Sequence, residues 1–186
     1  MYHSKRFYKL FWCVLSFVIL TILFRCLYIW FPFELFLSLY VTFLTTSYHF
    51  IMRIIVGESV TFFYRKREFH YECWWYQQHK FEQHFYKILG VKKWKKRAIT
   101  AKPEQFDVKN RSFDELIHNM TQAEVSHEMI MVLSFVPLFF IHWYGAPAVF
   151  ILTSIAACLA DFIFVMIQRY NRPRVLQMKK RRSKIN

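Results

Sequence analysis

Residues 129–160, MIMVLSFVPLFFIHWYGAPAVFILTSIAACLA, run for 32 positions without Asp, Glu, Lys or Arg. Tyr144-Gly145-Ala146-Pro147 interrupts the run, which resumes past Asp161 through Gln168. A helix needs ~20 apolar residues to cross ~30 Å of hydrocarbon. The stretch therefore reads as two spans, near 128–144 and 147–168, with the Gly and Pro residues marking the tip between them. The same pattern occurs earlier. Residues 10–24 are uncharged, Arg25 follows, then 26–33, and 35–52 give 18 more uncharged residues before Arg53. These are spans near 9–29 and 35–56, with Pro32 at their tip. The third span is short: 16 uncharged residues at 129–144 cover only ~24 Å at ~1.5 Å per residue. It must tilt little, borrow residues before Met129, or dip in as a re-entrant helix.

The composition agrees. Of 186 residues 55% are hydrophobic, with 22 Phe and only 3 Gly. So much apolar area excludes a disordered chain, and its uncharged blocks exclude an average soluble domain. Lys+Arg number 26 against 12 Asp+Glu, a balance that would also suit nucleic acid. Where the charge sits decides against nucleic acid. Three Lys/Arg lie in the first nine residues, 13 in 57–128 and 8 in 168–186, with none at either tip. The positive-inside rule then puts both termini and the middle segment in the cytoplasm. Lys5, Arg6 and Lys9 before an apolar stretch resemble a secretory signal, but no small-x-small cleavage site follows, so the segment reads as a retained anchor. The expected fold is an all-α integral membrane protein forming one membrane domain in the cell membrane. About four transmembrane helices make two hairpins, 9–56 and 128–168. Between them lies a cytosolic amphipathic segment, 57–127, and after them a basic cytosolic tail, 169–186.

Within the middle segment, Trp74, Trp75, Phe81, Phe85, Ile88 and Leu89 recur at near-helical spacing, while Gln77, Gln78, Lys80, Glu82, Gln83 and Lys87 fill the other face. That pattern predicts an amphipathic helix lying in the membrane interface, aromatics down. Lys92-Lys93-Trp94-Lys95-Lys96-Arg97 adds a basic run with one aromatic anchor. Residues 98–113 read as a loop, and a helix from about Asp114 can run into the third span. Cys13, Cys26, Cys73 and Cys158 have no metal or redox spacing, so a reduced state is expected.

Ala123-Glu124-Val125-Ser126-His127 is the sharpest local signal. Glu124 and His127, at i and i+3, share a helix face just before the apolar run. A carboxylate-oriented His is the usual base for activating a hydroxyl; the plain alternative is a surface turn with an incidental pair. A metal reading needs two Glu-x-x-His copies converging from different helices. The second copy, Glu115-x-x-His118, lies nine residues earlier, and at ~100° per residue it points to the opposite face. No metal is expected. In Gln168-Arg169-Tyr170-Asn171-Arg172-Pro173-Arg174, a turn at Asn171 and Pro173 could aim Arg169, Arg172 and Arg174 at phosphates of a lipid head or an acyl-CoA; the plain alternative is a stop-transfer cluster. His49, Arg53 and Asp161 lie inside spans, where ionisable groups are costly and often functional. An Arg53–Asp161 pair could tie the hairpins together or flank a head-group pocket. Arg25 could snorkel, and His142 reads as interfacial.

Val91-Lys92-Lys93-Trp94-Lys95, Ala123-Glu124-x-x-His127 and the Gln168–Arg174 string, in this order and spacing, resemble the glycosyl-4,4'-diaponeurosporenoate acyltransferase family. That family esterifies a sugar hydroxyl of a carotenoid glycoside with a fatty acyl chain. The resemblance covers roughly residues 75–180, and this chain places an extra apolar hairpin before it. It implies an O-acyltransferase with no bound cofactor, taking acyl-CoA or an acyl-carrier protein as donor and a membrane glycolipid as acceptor. His127 would be the general base and Glu124 would hold its imidazole. Arg169, Asn171, Arg172 and Arg174 would form the phosphate or oxyanion site, and Trp94 would set its depth. The alternative is a non-enzymatic lipid-binding or partner subunit of a membrane complex, for which His127 is dispensable. Oligomeric state stays open.

Overall fold

The computed structural model describes residues 2–65, 67, 70–71, 73–94, 106–107 and 110–184, and the side chains of all of these except 2–7, 10 and 94. The described elements are helical, with no strand among them. They are α1 (Tyr2–Trp30), α2 (Glu34–Tyr64), α3 (Lys80–Ile88), α4 (Val91–Trp94), α5 (Phe113–Leu133), α6 (Ile141–Tyr144) and α7 (Pro147–Arg182). Short 3₁₀ turns occupy Trp74–Tyr76 and Val136–Phe140. Four segments are long and apolar enough to cross a membrane: Phe11–Trp30, Glu34–Tyr64, Phe113–Tyr144 and Pro147–Arg182. The chain is an all-α, multi-pass membrane protein.

The described chain divides into two compact units, Met1–Val56 with Met129–Ala160, and Gly57–Glu128 with Asp161–Asn186. In the first unit, α1 packs on α2 through Phe17, Phe24 and Phe43, with the Phe24 and Phe43 rings stacked at 5.3 Å. Tyr40, Val41 and Phe150 form one buried cluster there. The Arg25 guanidinium lies 5.4 Å from the Tyr40 ring centroid, within cation–π range. The tips form where the sequence breaks. Pro32 separates α1 from α2, and Gly145 (φ 67°) and Ala146 (φ 50°) turn the chain before Pro147 starts α7.

The third span borrows residues on its N-terminal side, since α5 is helical from Phe113. Ser112 and Glu115 start it with a capping box: Glu115 Nα donates to Ser112 Oγ at 3.2 Å, and Ser112 Nα to Glu115 Oε2 at 2.9 Å. This gives Glu115 a capping task. The helix stops at Leu133 because Pro137 has no N–H for the Leu133 carbonyl. The Tyr48 hydroxyl donates to that carbonyl instead, at 2.9 Å. Tyr48, Ile51, Met52, Ile55, Val56 and Leu133 line an apolar groove of about 300 Å³.

Two expectations are corrected. The amphipathic helix is shorter than the spacing predicts: it covers Lys80–Ile88, with Trp74 and Trp75 in the preceding 3₁₀ turn. The 169–186 segment is not a separate tail with a turn at Asn171 and Pro173, because α7 continues through Pro173 to Arg182. Packing overrides the lost hydrogen bond: Arg172 and Val175, on either side of the proline, are buried, and Val175 joins Leu116, Ile117 and Met120 in one cluster.

Candidate functional site

The second unit concentrates the chemistry. α5 carries Glu124 and His127, α7 carries Asp161, Phe164, Arg169 and Arg172, and the segment before α4 supplies Trp75, Tyr76, Glu82 and Tyr86. They make two polar groups, each joining different elements.

The first is an imidazole–carboxylate pair. His127 Nδ1 lies 2.8 Å from Asp161 Oδ1. A carboxylate oxygen takes the N–H of the ring nitrogen facing it, so in the neutral ring the lone pair sits on Nε2. Phe164, one turn beyond Asp161, stacks on the imidazole at 4.7 Å and 12°. The ring is thus fixed by a hydrogen bond at one atom and a flat apolar contact on one face. Asp161 is buried, whereas the His127 side chain keeps 24% exposure, so a reactant can reach it. Next to it in sequence, Glu128 Oε2 accepts the Trp75 indole N–H at 3.1 Å.

The second group is a buried cluster of two carboxylates and two guanidiniums. Arg172, 2% exposed, donates to Glu124 Oε2 and to the Tyr76 carbonyl, and lies over the Tyr76 ring. Thr121 Oγ1 stands 3.5 Å from the same guanidinium. Arg169 meets Glu82 at 3.3 Å and donates to the Trp75 carbonyl. Its Nε is 3.2 Å from Glu124 Oε1, within ion-pair range although not aligned as a hydrogen bond. Tyr86 donates to Glu82 Oε2 at 3.3 Å. Burial, and then the Glu82 carboxylate beside it, hold the Tyr86 phenol above its ordinary pKa. The four charges cancel within the cluster.

This geometry changes several assignments. Asp161, not Glu124, is the carboxylate on the His127 ring nitrogen. Glu124 and His127 share a helix face, but the buried guanidiniums claim Glu124 because it is fully shielded from water. Arg169 and Arg172 do not form an open phosphate clamp, since Glu82, Glu124 and backbone carbonyls occupy their donors. Of the three tail arginines Arg174 is exposed, its guanidinium 3.7 Å from the Tyr170 ring centroid. Asn171 is half-buried in α7. Arg53 donates to the His49 and Ala157 carbonyls, and His49 is buried; all three belong to the first unit. Trp94 closes α4, and its side chain lies outside the described residues, as do Lys95, Lys96 and Arg97. No group of three or more His, Cys, Asp or Glu among the described residues could hold a metal.

Sequence reasoning missed Glu82, assigned to a solvated face, and the Asp161–His127 pairing. Glu82 had a signal, because it is the one acidic residue between 74 and 93. The pairing had one too. His127 lies 18 residues before Gly145 and Asp161 lies 15 after Ala146, so counting from the tip puts them at similar heights.

A multi-pass helical membrane protein with a partly exposed, carboxylate-held imidazole is the class these features define. The chain belongs to the glycosyl-4,4'-diaponeurosporenoate acyltransferase family, whose sequence pattern matches residues 72–181. The helices α1 and α2 precede the matched part. No curated protein and no solved structure matches the chain. Membership implies an acyltransferase.

Proposed function

We propose that the protein is a membrane-bound O-acyltransferase that moves a fatty acyl chain from an acyl thioester to a hydroxyl of a membrane glycolipid or isoprenoid glycoside. The thioester is an acyl-CoA or acyl-carrier protein. The observation that carries this reading is the His127–Asp161 pair, with the imidazole partly exposed and its Nε2 on the side away from the carboxylate contact. His127 Nε2 takes the proton of the acceptor hydroxyl as its oxygen bonds to the acyl carbon. The carbon–sulfur bond then breaks, and the proton passes to the departing thiolate. Asp161 is a positioning residue: it sets the tautomer and stabilises the imidazolium that forms. Glu124 acts at a distance, by holding Arg169 and Arg172, and Arg174 is left to meet an anionic head group. The protein sits in the cell membrane with both termini cytoplasmic, as its Lys/Arg placement indicates.

The test is transfer of labelled acyl groups to a glycosyl-4,4'-diaponeurosporenoate by the purified protein in lipid. His127→Ala lowers the rate ~10²–10⁴-fold, and Asp161→Asn lowers it up to ~10⁴-fold by favouring the wrong tautomer, while helix content and membrane insertion stay at wild type. Wild-type rates in the folded His127→Ala protein would sink the catalytic assignment, and no transfer by the folded wild-type protein would put the non-enzymatic subunit reading in its place.

A further inference from the structure

The cluster Glu82–Arg169–Glu124–Arg172 does something besides neutralise itself. Its donors hold the chain at Trp75 and Tyr76, whose carbonyls accept from Arg169 and Arg172, and at Glu82 in α3. Trp75 is held a second time through its indole N–H on Glu128. Yet what these bonds fix in place is exposed and apolar. Trp74 is 68% exposed, Phe81 72% and Ile88 69%, and Trp75, Phe85 and Leu89 are exposed with them. At ~100° per residue, Phe81, Phe85, Ile88 and Leu89 fall within an arc of ~100° on α3. Glu82 and Tyr86 occupy the neighbouring sector, and both are buried. Lys80 and Lys87 lie on the far flank. The charges on the exposed surface of 74–93 have one sign: Lys80, Lys87, Lys92 and Lys93 are exposed, and the single acid, Glu82, is buried against Arg169.

An aromatic row with a cationic flank, held rigidly by its opposite side, has the chemistry of a surface for anionic lipid. Aromatic rings prefer the head-group level, and each lysine near an anionic leaflet adds attraction. α5 and α7, which hold the row, belong to segments long and apolar enough to span a bilayer. We propose that residues 74–93 form a ledge seated in an anionic lipid monolayer, and that Arg169 is the latch fixing its attitude. The ledge stands independently of the acyl-transfer reading, because it is defined by lipid contact.

The experiment uses the full chain with Trp12, Trp30, Trp94 and Trp143 replaced by Phe, so that Trp74 and Trp75 report. The protein is reconstituted in phosphatidylcholine vesicles with and without phosphatidylglycerol. Emission shifts to the blue, lipids brominated on their acyl chains quench it, and phosphatidylglycerol strengthens the quenching. Phe81→Ser with Ile88→Ser, two exposed positions that leave the buried cluster intact, loses most of that quenching. Arg169→Lys also loses it, because a point charge cannot serve Glu82, Glu124 and the Trp75 carbonyl together. Emission quenched by aqueous acrylamide and not by brominated lipid would overturn the ledge. So would shielding found in native membranes but absent in pure lipid, which would assign the face to a partner protein. Wild-type lipid quenching in Arg169→Lys and in Glu82→Gln would overturn the latch.

Discussion

Glu124 lies three residues from His127 on one helix face, yet Arg172 and Arg169 take its oxygens. Solvation decides this. A fully buried carboxylate needs full charges and hydrogen-bond donors around it, and the guanidiniums of α7 supply both. His127, partly exposed, needs less and pairs with Asp161. Glu124 is therefore a structural residue first. Glu124→Gln leaves the buried Arg172 guanidinium without its carboxylate, and breaking a buried pair from one side costs ~3–5 kcal/mol. Thermal unfolding in detergent should show a large loss of stability along with any loss of activity. A melting temperature at wild type would show that the cluster does not hold Glu124 as described.

At the scale of the element, α5 matters most, since it presents both Glu124 and His127. Its start rests on the Ser112–Glu115 capping box, and its end on Pro137 and the Tyr48 hydroxyl. The cap satisfies N–H groups that the first turn cannot pair internally. Ser112→Ala should lower stability by ~1 kcal/mol, read as a small drop in melting temperature with the acyl-transfer rate kept. An unchanged melting temperature would mean that water caps the helix equally well. α7 teaches the reverse lesson about prolines. Pro173 reads as a stop, but buried side chains before and after it carry the helix on to Arg182.

For the whole molecule, the distribution of Lys and Arg implies that 145–146 faces outward and the 57–128 segment inward. In a background lacking Cys13, Cys26, Cys73 and Cys158, a cysteine at Ala146 should react with a membrane-impermeant maleimide on intact cells. One at Lys92 should react only after permeabilisation. The opposite pattern would invert the topology, and an Ala146 position shielded in both states would make the third span re-entrant.

The helical class, the four apolar segments, the breaks at Pro32 and at 145–147 and the start of α5 were legible in the sequence because each depends on local terms. Hydropathy adds along a window, and Gly, Pro and a capping Ser act on their own backbone. His127, Asp161, Arg169 and Arg172 stood out for the same reason, as polar groups beside or inside apolar runs. Their partners did not. Which carboxylate meets which cation depends on how each helix is rotated about its axis and how deeply each group is buried. Residues 34 apart in sequence, such as His127 and Asp161, or 48 apart, such as Glu124 and Arg172, come together only when packing sets that rotation. Tertiary structure alone therefore turned Glu124 from a partner of the imidazole into an anchor for two arginines, and gave the imidazole to Asp161.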